Sequence, residues 1–479
     1  MPINNFLLPG AKVTPAYEVA NSCRFAGDAH GQKSISSGGS GTTATFSAWI
    51  KPSADPDKAL FTSYIDANNF VEIYFSSSKF RVYHYDGGST VNDIKTNALY
   101  RDQSAWYHFH VIFDTANGTE ADRIIITVNG TRVTSFATSN YPTSSQDMEL
   151  NSSSATLNLA ARNADEQFLG YMAEVVWLDG TASAVTNFGE FDEDSPNIWK
   201  PKNVSGLSSS KGTNGFYCDF EDSSNLGNDV WGGTDFTETN LAATDQATDT
   251  PTNNFATLNP LMVPTSNAPT FSEGNCKTAT NNAALHQGYS TIAVTKGKWY
   301  VECKRISQDS GSGDDGLRIG IGVANNINME TSPVGSSDSG HYIMIGNGTV
   351  YNGSNDLGDK AGDSLISDDE IVGIALDLDN DRISWSSNGV WMTGSNAWSG
   401  SSPSSYVTLT DPDSTDAGYF FISTDGSTAR GYTTAWNFGG CPAFSISSAA
   451  SDENGYGNFE FAPPSGYYAL CTKNLAEFG

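Results

Sequence analysis

Hydrophobic and polar residues alternate with period two over most of this chain, the signature of strands with one buried face. Val71, Ile73 and Phe75 share one side of a strand, and Glu72 and Tyr74 share the other. Tyr107, Phe109, Val111 and Phe113 repeat the pattern within Trp106–Asp114. Ile124, Ile126 and Val128 run into Asn129-Gly130, followed by Arg132 and Val133. Asn-Gly between alternating runs predicts a tight hairpin, because both residues tolerate positive φ. Tyr171, Ala173, Val175 and Trp177 give a further strand, ended by Asp179-Gly180. No segment of helical period with both caps competes, so residues 17–200 read as an antiparallel β-sandwich.

The alternation resumes over 268–462. Gly297-Lys298-Trp299-Tyr300-Val301-Glu302 opens a strand, and Leu317, Ile319, Ile321 and Val323 form one face of another. Gly320 and Gly322 lie on the opposite face, where another group can approach closely. Val372, Ile374, Leu376 and Leu378 make a third set, and Ile383-Ser384-Trp385 runs to a second Asn-Gly pair, Asn388-Gly389. The fold class expected is all-β: two antiparallel sandwiches of jelly-roll, concanavalin-A-like form joined by an ordered connector.

That connector spans 201–267. Its first part is rich in Gly, Ser, Asn and Thr, with Phe216, Phe220, Trp231 and Phe236 as isolated anchors. A structureless loop of this length is uncommon in a compact protein, so the aromatics are expected to pack on the first sandwich. Its core is Asp249 to Leu261, where Pro251 and Pro260 favour extended backbone and Phe255 and Leu258 act as apolar pegs. A flexible linker would carry no such pegs. Residues 1–16, with Pro2, Pro9 and Pro15, read as an extended arm, and 463–479 as a C-terminal tail.

Composition narrows the function. The 54 acidic residues outnumber 25 Lys and Arg, giving a net charge of −29 that repels phosphate backbones and anionic membranes. No apolar run is long enough to cross a bilayer, and Met1 to Ala20 lacks the features of a signal peptide. Nucleic acid and membrane insertion are therefore not expected. Cys23, Cys218, Cys276, Cys303, Cys441 and Cys471 are scattered without a CxxC pair, which points to buried free thiols.

Several motifs resemble known families. Phe46-Ser47-Ala48-Trp49-Ile50, Trp106-Tyr107-His108, Ile126 to Gly130 and Leu169 to Val175 occur in the order seen in laminin-G/concanavalin-A-like domains. Gly212 to Phe220, the 249–261 strap and Pro463 to Leu475 resemble segments of tailed-bacteriophage virion proteins that carry such a domain. Gly297 to Glu302, Ile319 to Val323 and Asp369 to Trp391, in that order, resemble the SPRY domain, a bent β-sandwich used for binding. The resemblance implies a virion protein of a tail fibre, spike or head fibre. It would join other virion proteins through residues 1–16, form a homotrimer as phage fibres usually do, and contact host surface glycan or protein. By analogy with SPRY proteins, binding loops would lie near 307–316, 325–341, 351–369 and 391–405.

Candidate ligand-binding residues are Tyr351, Trp391 and Trp398, which fall outside the clearest alternating runs, with Asp315 beside them in a predicted loop. Laminin-G-like folds often bind calcium, and acidic loops at Asp114, Asp165-Glu166 and Asp314-Asp315 are candidates for it. Other constellations read as structure. His108 and His110 share a strand face with no third ligand nearby. Asp377 to Asp381 starts like a calcium loop, but Arg382 and Asn388 occupy the positions where an EF-hand needs Gly and Glu. Glu190-Phe191-Asp192-Glu193-Asp194 approaches the Glu-x-Asp-x-Glu set of retaining glycosidases, but Asp194 is one methylene short of the second Glu. With no Ser-His-Asp arrangement or nucleotide loop in context, no enzymatic activity and no cofactor other than calcium are expected. A virion cement protein and a polysaccharide depolymerase remain the alternative readings.

Overall fold

A computed structural model of the chain describes residues 17–54, 57–263, 268–281, 286–308, 317–323, 340–346, 348–353, 355–360, 367–393, 397–410, 418–425 and 431–479. Nearly all regular structure is β, arranged as two antiparallel sandwiches.

In the first sandwich, one sheet is built around Thr43–Pro52, flanked by Tyr107–Asp114 and Leu169–Asp179. Ser22–Ala26 and Gln246–Ala247 continue it on one side, and Ile124–Val128 and Thr131–Arg132 on the other. The facing sheet runs in the order Phe136–Asn140, Ser89–Thr96, Lys79–Asp86, Asn69–Ser76, Ala59–Asp66, Thr156–Leu159, His30–Ser34, Thr237–Thr239. Between them lie Phe46, Ile50, Phe61, Val71, Ile73, Phe75, Val82, Val111 and Trp177. The rings of Phe80 and Phe109, one from each sheet, stack at 4.4 Å. The expected alternation is thus realised. Asn129 (φ 46°) and Gly130 (φ 74°) adopt the left-handed turn that their types favour.

The anchors of 201–248 do more than pack along this body. Phe216–Cys218 adds a strand to Val175–Trp177, and Phe216, Phe220, Leu226 and Phe236 enter the first core itself. Its hydrophobic interior therefore extends well past residue 200.

The second sandwich pairs a sheet centred on Lys298–Gln308, Ile371–Asp377 and Arg382–Ser387 with one centred on Leu317–Val323 and Tyr419–Asp425. Trp299, Val301, Ile319, Ile321, Leu376, Trp385 and Trp436 fill the space between. A Cβ at Gly322 would overlap the His341 ring, and one at Gly320 the Tyr342 carbonyl, which accounts for both glycines. Asn388 and Gly389 (φ 46° and 77°) form the second predicted turn.

One element departs from the sequence expectation: Thr472–Phe478 is an α-helix. At seven residues it is too short for helical periodicity to register. It follows Tyr468–Ala469, which pairs in parallel with Trp299–Tyr300, so this segment is integral to the second sandwich.

The strap is ordered. Phe255 and Leu258 are both buried, Phe255 against Tyr300 and Phe459, Leu258 in the second core. The first sandwich holds the strap through Lys51 and through Ser22 Oγ, which donates to the Asp249 carbonyl at 2.6 Å. Tyr171 Oη donates to the Gly274 carbonyl, and Arg24 reaches Asp245, Glu273 and the Pro442 carbonyl. The two halves are fastened by buried polar contacts as well as by the apolar pegs.

Candidate functional site

With 71, 73 and 75 in the core, residues 70, 72 and 74 emerge on the outer face of their sheet. The register places Phe70 opposite Tyr85, Glu72 opposite Tyr83 and Tyr74 opposite Arg81. On the other side, Tyr64 lies opposite Phe70 and Thr62 opposite Glu72. The next strand sets Asp93 beside Tyr83. Three neighbouring strands therefore bring Tyr64, Phe70, Tyr74, Tyr83 and Tyr85 onto one surface, and a fourth adds Asp93.

The rings form a continuous platform. Phe70 lies 5.4 Å from Tyr85, 6.1 Å from Tyr83 and 6.3 Å from Tyr64, and Tyr83 lies 6.3 Å from Tyr74. The Arg81 guanidinium sits 4.4 Å from the Tyr83 ring centre and touches the Tyr74 hydroxyl. Asp93 fixes it through two hydrogen bonds, of 2.7 and 2.8 Å. Arg162 covers Phe70 at 5.2 Å and reaches Glu72 Oε2 at 3.3 Å. The four tyrosines and both arginines are half-buried: their edges are fixed and part of each remains open to solvent.

Glu72 lies at the base of this surface, 1% exposed. Burial pushes its carboxyl up to about 7, against the lowering effect of Arg162, and its Oε1 has no hydrogen-bond partner among the described residues. Such a surface offers aromatic faces for the C–H side of a sugar ring, with the half-buried guanidinium groups of Arg81 and Arg162 for its hydroxyls, while Glu72 braces Arg162 from beneath. Acid–base cleavage of a glycoside needs two carboxyls with divided roles. Here Asp93 is clamped by Arg81, and Glu166 is paired with Lys58 and Arg162 at 3.6 Å each. The arrangement is suited to holding a saccharide.

The outer face of the opposite sheet is covered. Val19, Trp49, Ala173 and Trp199 form one apolar layer over it, and Val176, Leu178, Phe188, Val204 and Tyr217 another. Beneath lie His108 and His110, whose rings are buried. The Trp199 indole can only donate, so its 3.0 Å contact makes His108 Nδ1 an acceptor and leaves the proton on Nε2, which donates to Ser47 Oγ at 2.8 Å. In this tautomer His108 cannot take a proton from Ser47, so the pair is no activated nucleophile. Burial holds the His108 ring well below its ordinary range and pushes His110 down to about 4. Glu174 occupies a bulge on the same face at φ 52°, bonded by Tyr17 and Tyr217 at 2.9 to 3.0 Å, and burial raises its carboxyl to about 7.

The residues singled out from sequence are dispersed. Trp391 is 4% exposed and packs in a cluster with Tyr300, so it presents almost no surface to a ligand. Tyr351 and Trp398 are half-buried, one against Tyr289, Ile343 and Ile422, the other against the second core. Asp314 and Asp315 lie outside the described residues, with most of 307–316 and 325–341, whereas 351–369 and 391–405 are mostly described and contain the strands Asn355–Asp359 and Ala397–Gly400 where loops were expected. Among the described residues no group of three or more His, Cys, Asp or Glu is placed to hold a metal ion. Asp114 accepts from Asn117 at 3.4 Å, Asp165 closes a turn with Arg162, and Glu166 is engaged by two cations. Glu190 and Asp192 are bridged by Lys200 and Lys202 on a two-stranded ribbon. Asp377 is buried beside Asn380 and Arg382 at the hairpin expected there.

Residues 27–185 match the family model of the concanavalin A-like lectin/glucanases superfamily (Laminin_G_3). Three solved structures are similar at low identity. The SPRY domain of human HERC1 is 12% identical, with 39% of this chain and 99% of that chain covered and a TM-score of 0.26. Domain 4 of AbnA, a GH43 extracellular arabinanase from Geobacillus stearothermophilus in complex with arabinotriose, is 15% identical, with 34% and 72% covered and a TM-score of 0.27. The heptameric SAP-like pentraxin from Limulus polyphemus is 13% identical, with 35% and 80% covered and a TM-score of 0.26. No curated protein matches the sequence. The matched residues, 27–185, lie within the first sandwich.

Proposed function

We propose that this protein binds glycans without cleaving them, through the tyrosine platform of its first sandwich. The observation that carries this reading is the half-exposed surface of Tyr64, Tyr74, Tyr83 and Tyr85 around Arg81 and Glu72. Rigid rings lose little entropy on binding, and Asp93 preorganises the arginine between them. A glycan array probed with the full chain and with Tyr83→Ala tests it. The wild type should retain a defined set of glycans, and the variant should bind them at least tenfold more weakly, a loss of about 1.4 kcal/mol. Equal binding by both proteins rejects the platform. Reducing ends released from a bound polysaccharide would reject the non-catalytic reading.

The setting we propose is a phage virion, as an adhesion component of a tail fibre, spike or head fibre. The similarity of Gly212 to Phe220, the strap and Pro463 to Leu475 to tailed-phage structural proteins supports it. Residues 1–16 would join other virion proteins, and a homotrimer on the particle would turn weak single-site binding into avidity. Particle proteomics with light scattering of the purified chain tests both statements: absence from particles, or a monomer, rejects the corresponding one.

A further inference from the structure

A groove runs along the seam between the two sandwiches, apart from the tyrosine platform. It consists of two hollows, of about 470 and 240 Å³, which share Thr248 and Gly457 in their linings. The larger alone is within the roughly 300–1,000 Å³ of small-molecule sites. Asn21 and Gln246 come from the first half, Thr248 from the approach to the strap, and Phe444 and Asn458 from the second half.

The lining is unusual for this chain. Despite a net charge of −29, no ionisable side chain among the described residues lines the larger hollow; its polar side chains are amides and hydroxyls. Phe444 is half-buried and supplies an aromatic wall. Asn458 lines the hollow, and its buried side-chain oxygen has no hydrogen-bond partner among the described residues, an acceptor that a small turn of the amide would offer to a ligand hydroxyl. In the smaller hollow, Lys473 is neutralised by Glu18 at 2.9 Å and lies 5.4 Å from the Tyr456 ring centre. The backbone N–H groups of Thr248 and Asp249 already donate to the Gly440 carbonyl, so neither is open to pair with an extended peptide. Neutral amides and hydroxyls beside aromatic rings fit a neutral, hydroxyl-rich chain.

We infer that this seam is a second saccharide site, taking a short run of uncharged sugar units, separate from the tyrosine platform. The inference extends the glycan-binding reading and is tested apart from it. Ala449 is exposed in the lining, so Ala449→Trp should fill the groove without disturbing the core. Titration calorimetry would use the full chain with neutral gluco-, galacto- and manno-oligosaccharides of four to six units, on wild type, Ala449→Trp, Asn458→Ala and Tyr83→Ala. Unchanged melting temperatures confirm that each variant is folded. The expected result is two sites in the wild type, one of them weakened at least tenfold by Ala449→Trp and by Asn458→Ala, the other by Tyr83→Ala alone. One site lost only in Tyr83→Ala overturns the seam and leaves the platform. One site lost only in the seam variants upholds the seam and overturns the platform. No binding of any probe by the wild type overturns both.

Discussion

Lys51 Nζ lies 2.6 Å from Asp249 Oδ2, and both side chains are 1% exposed. The ammonium also donates to Asn254 Oδ1 at 2.7 Å and to the Phe255 carbonyl at 2.9 Å, so each of its three hydrogens has an acceptor. Asp249 Oδ1 in turn accepts from the Trp106 indole at 3.0 Å. A strand of the first sandwich thereby grips the strap at the point where the chain passes into the second. Lys51→Met keeps the stem but strands a buried carboxylate, which costs about 3–5 kcal/mol. Urea unfolding should show that loss, and calorimetry should show one cooperative transition separating into two. A loss under about 1 kcal/mol would mean the ion pair does not fasten the halves.

Glu72 predicts a pH dependence. Its folded carboxyl titrates near 7 and its unfolded one near the ordinary value of 4.5, so folding favours the protonated form. That contribution is complete below about 4.5 and is lost as pH rises through about 7. The buried His110 works in the opposite direction, because its folded value of about 4 lies below 6.5. Its contribution is complete above 6.5 and is lost as pH falls through about 4. Glu72→Gln should remove one share of the decline between 4.5 and 7, up to about 3 kcal/mol, leaving the shares of Glu174 and Glu302, whose buried carboxyls are also raised to about 7, and leaving the acid side unchanged. Wild-type and variant urea midpoints that run parallel across this interval contradict it.

Gly130 combines a turn and a close approach. Its φ of 74° is costly for a side chain, and an added Cβ would overlap the Trp199 ring. Gly130→Ala should destabilise the protein by about 2–4 kcal/mol, from overpacking and left-handed strain together. Because Trp199 also bonds His108, near-ultraviolet circular dichroism should change in parallel. An unchanged melting temperature rules out the close approach.

All six cysteines are free and buried. Burial raises every thiol, Cys441 and Cys471 to about 11 and Cys276 to about 12, so the thiolate is scarce at neutral pH. A soluble disulfide reagent should find no fast-reacting thiol in the folded protein and six after denaturation. Rapid labelling of even one in the folded state refutes this.

The alternation at Val71, Ile73 and Phe75 was legible because each strand carries its own period, and Asn129-Gly130 because a two-residue turn is a local event. Phe255 and Leu258 stood out as apolar residues in a polar segment. The platform was not legible: Tyr74, Tyr83 and Tyr64 are ordinary strand residues until register aligns three strands. Trp391 misled for the converse reason, since an aromatic outside a clear period can still be enclosed by residues distant in sequence, here Tyr300. Lys51 gave no sign of its partner 198 positions away, which only the tertiary fold supplies.

The helix Thr472–Phe478 bears on how the molecule is made. Thr472 exchanges hydrogen bonds with Asn254, and Lys473 N donates to Asn253 Oδ1, so this segment clasps the strap at Asn254, the residue whose side chain Lys51 also holds. On a ribosome the first sandwich emerges and can collapse while the remainder is still being translated. Its junction stays half-closed until residue 473 has cleared the exit tunnel, so nascent chains stalled before that point should be cut by protease within the strap.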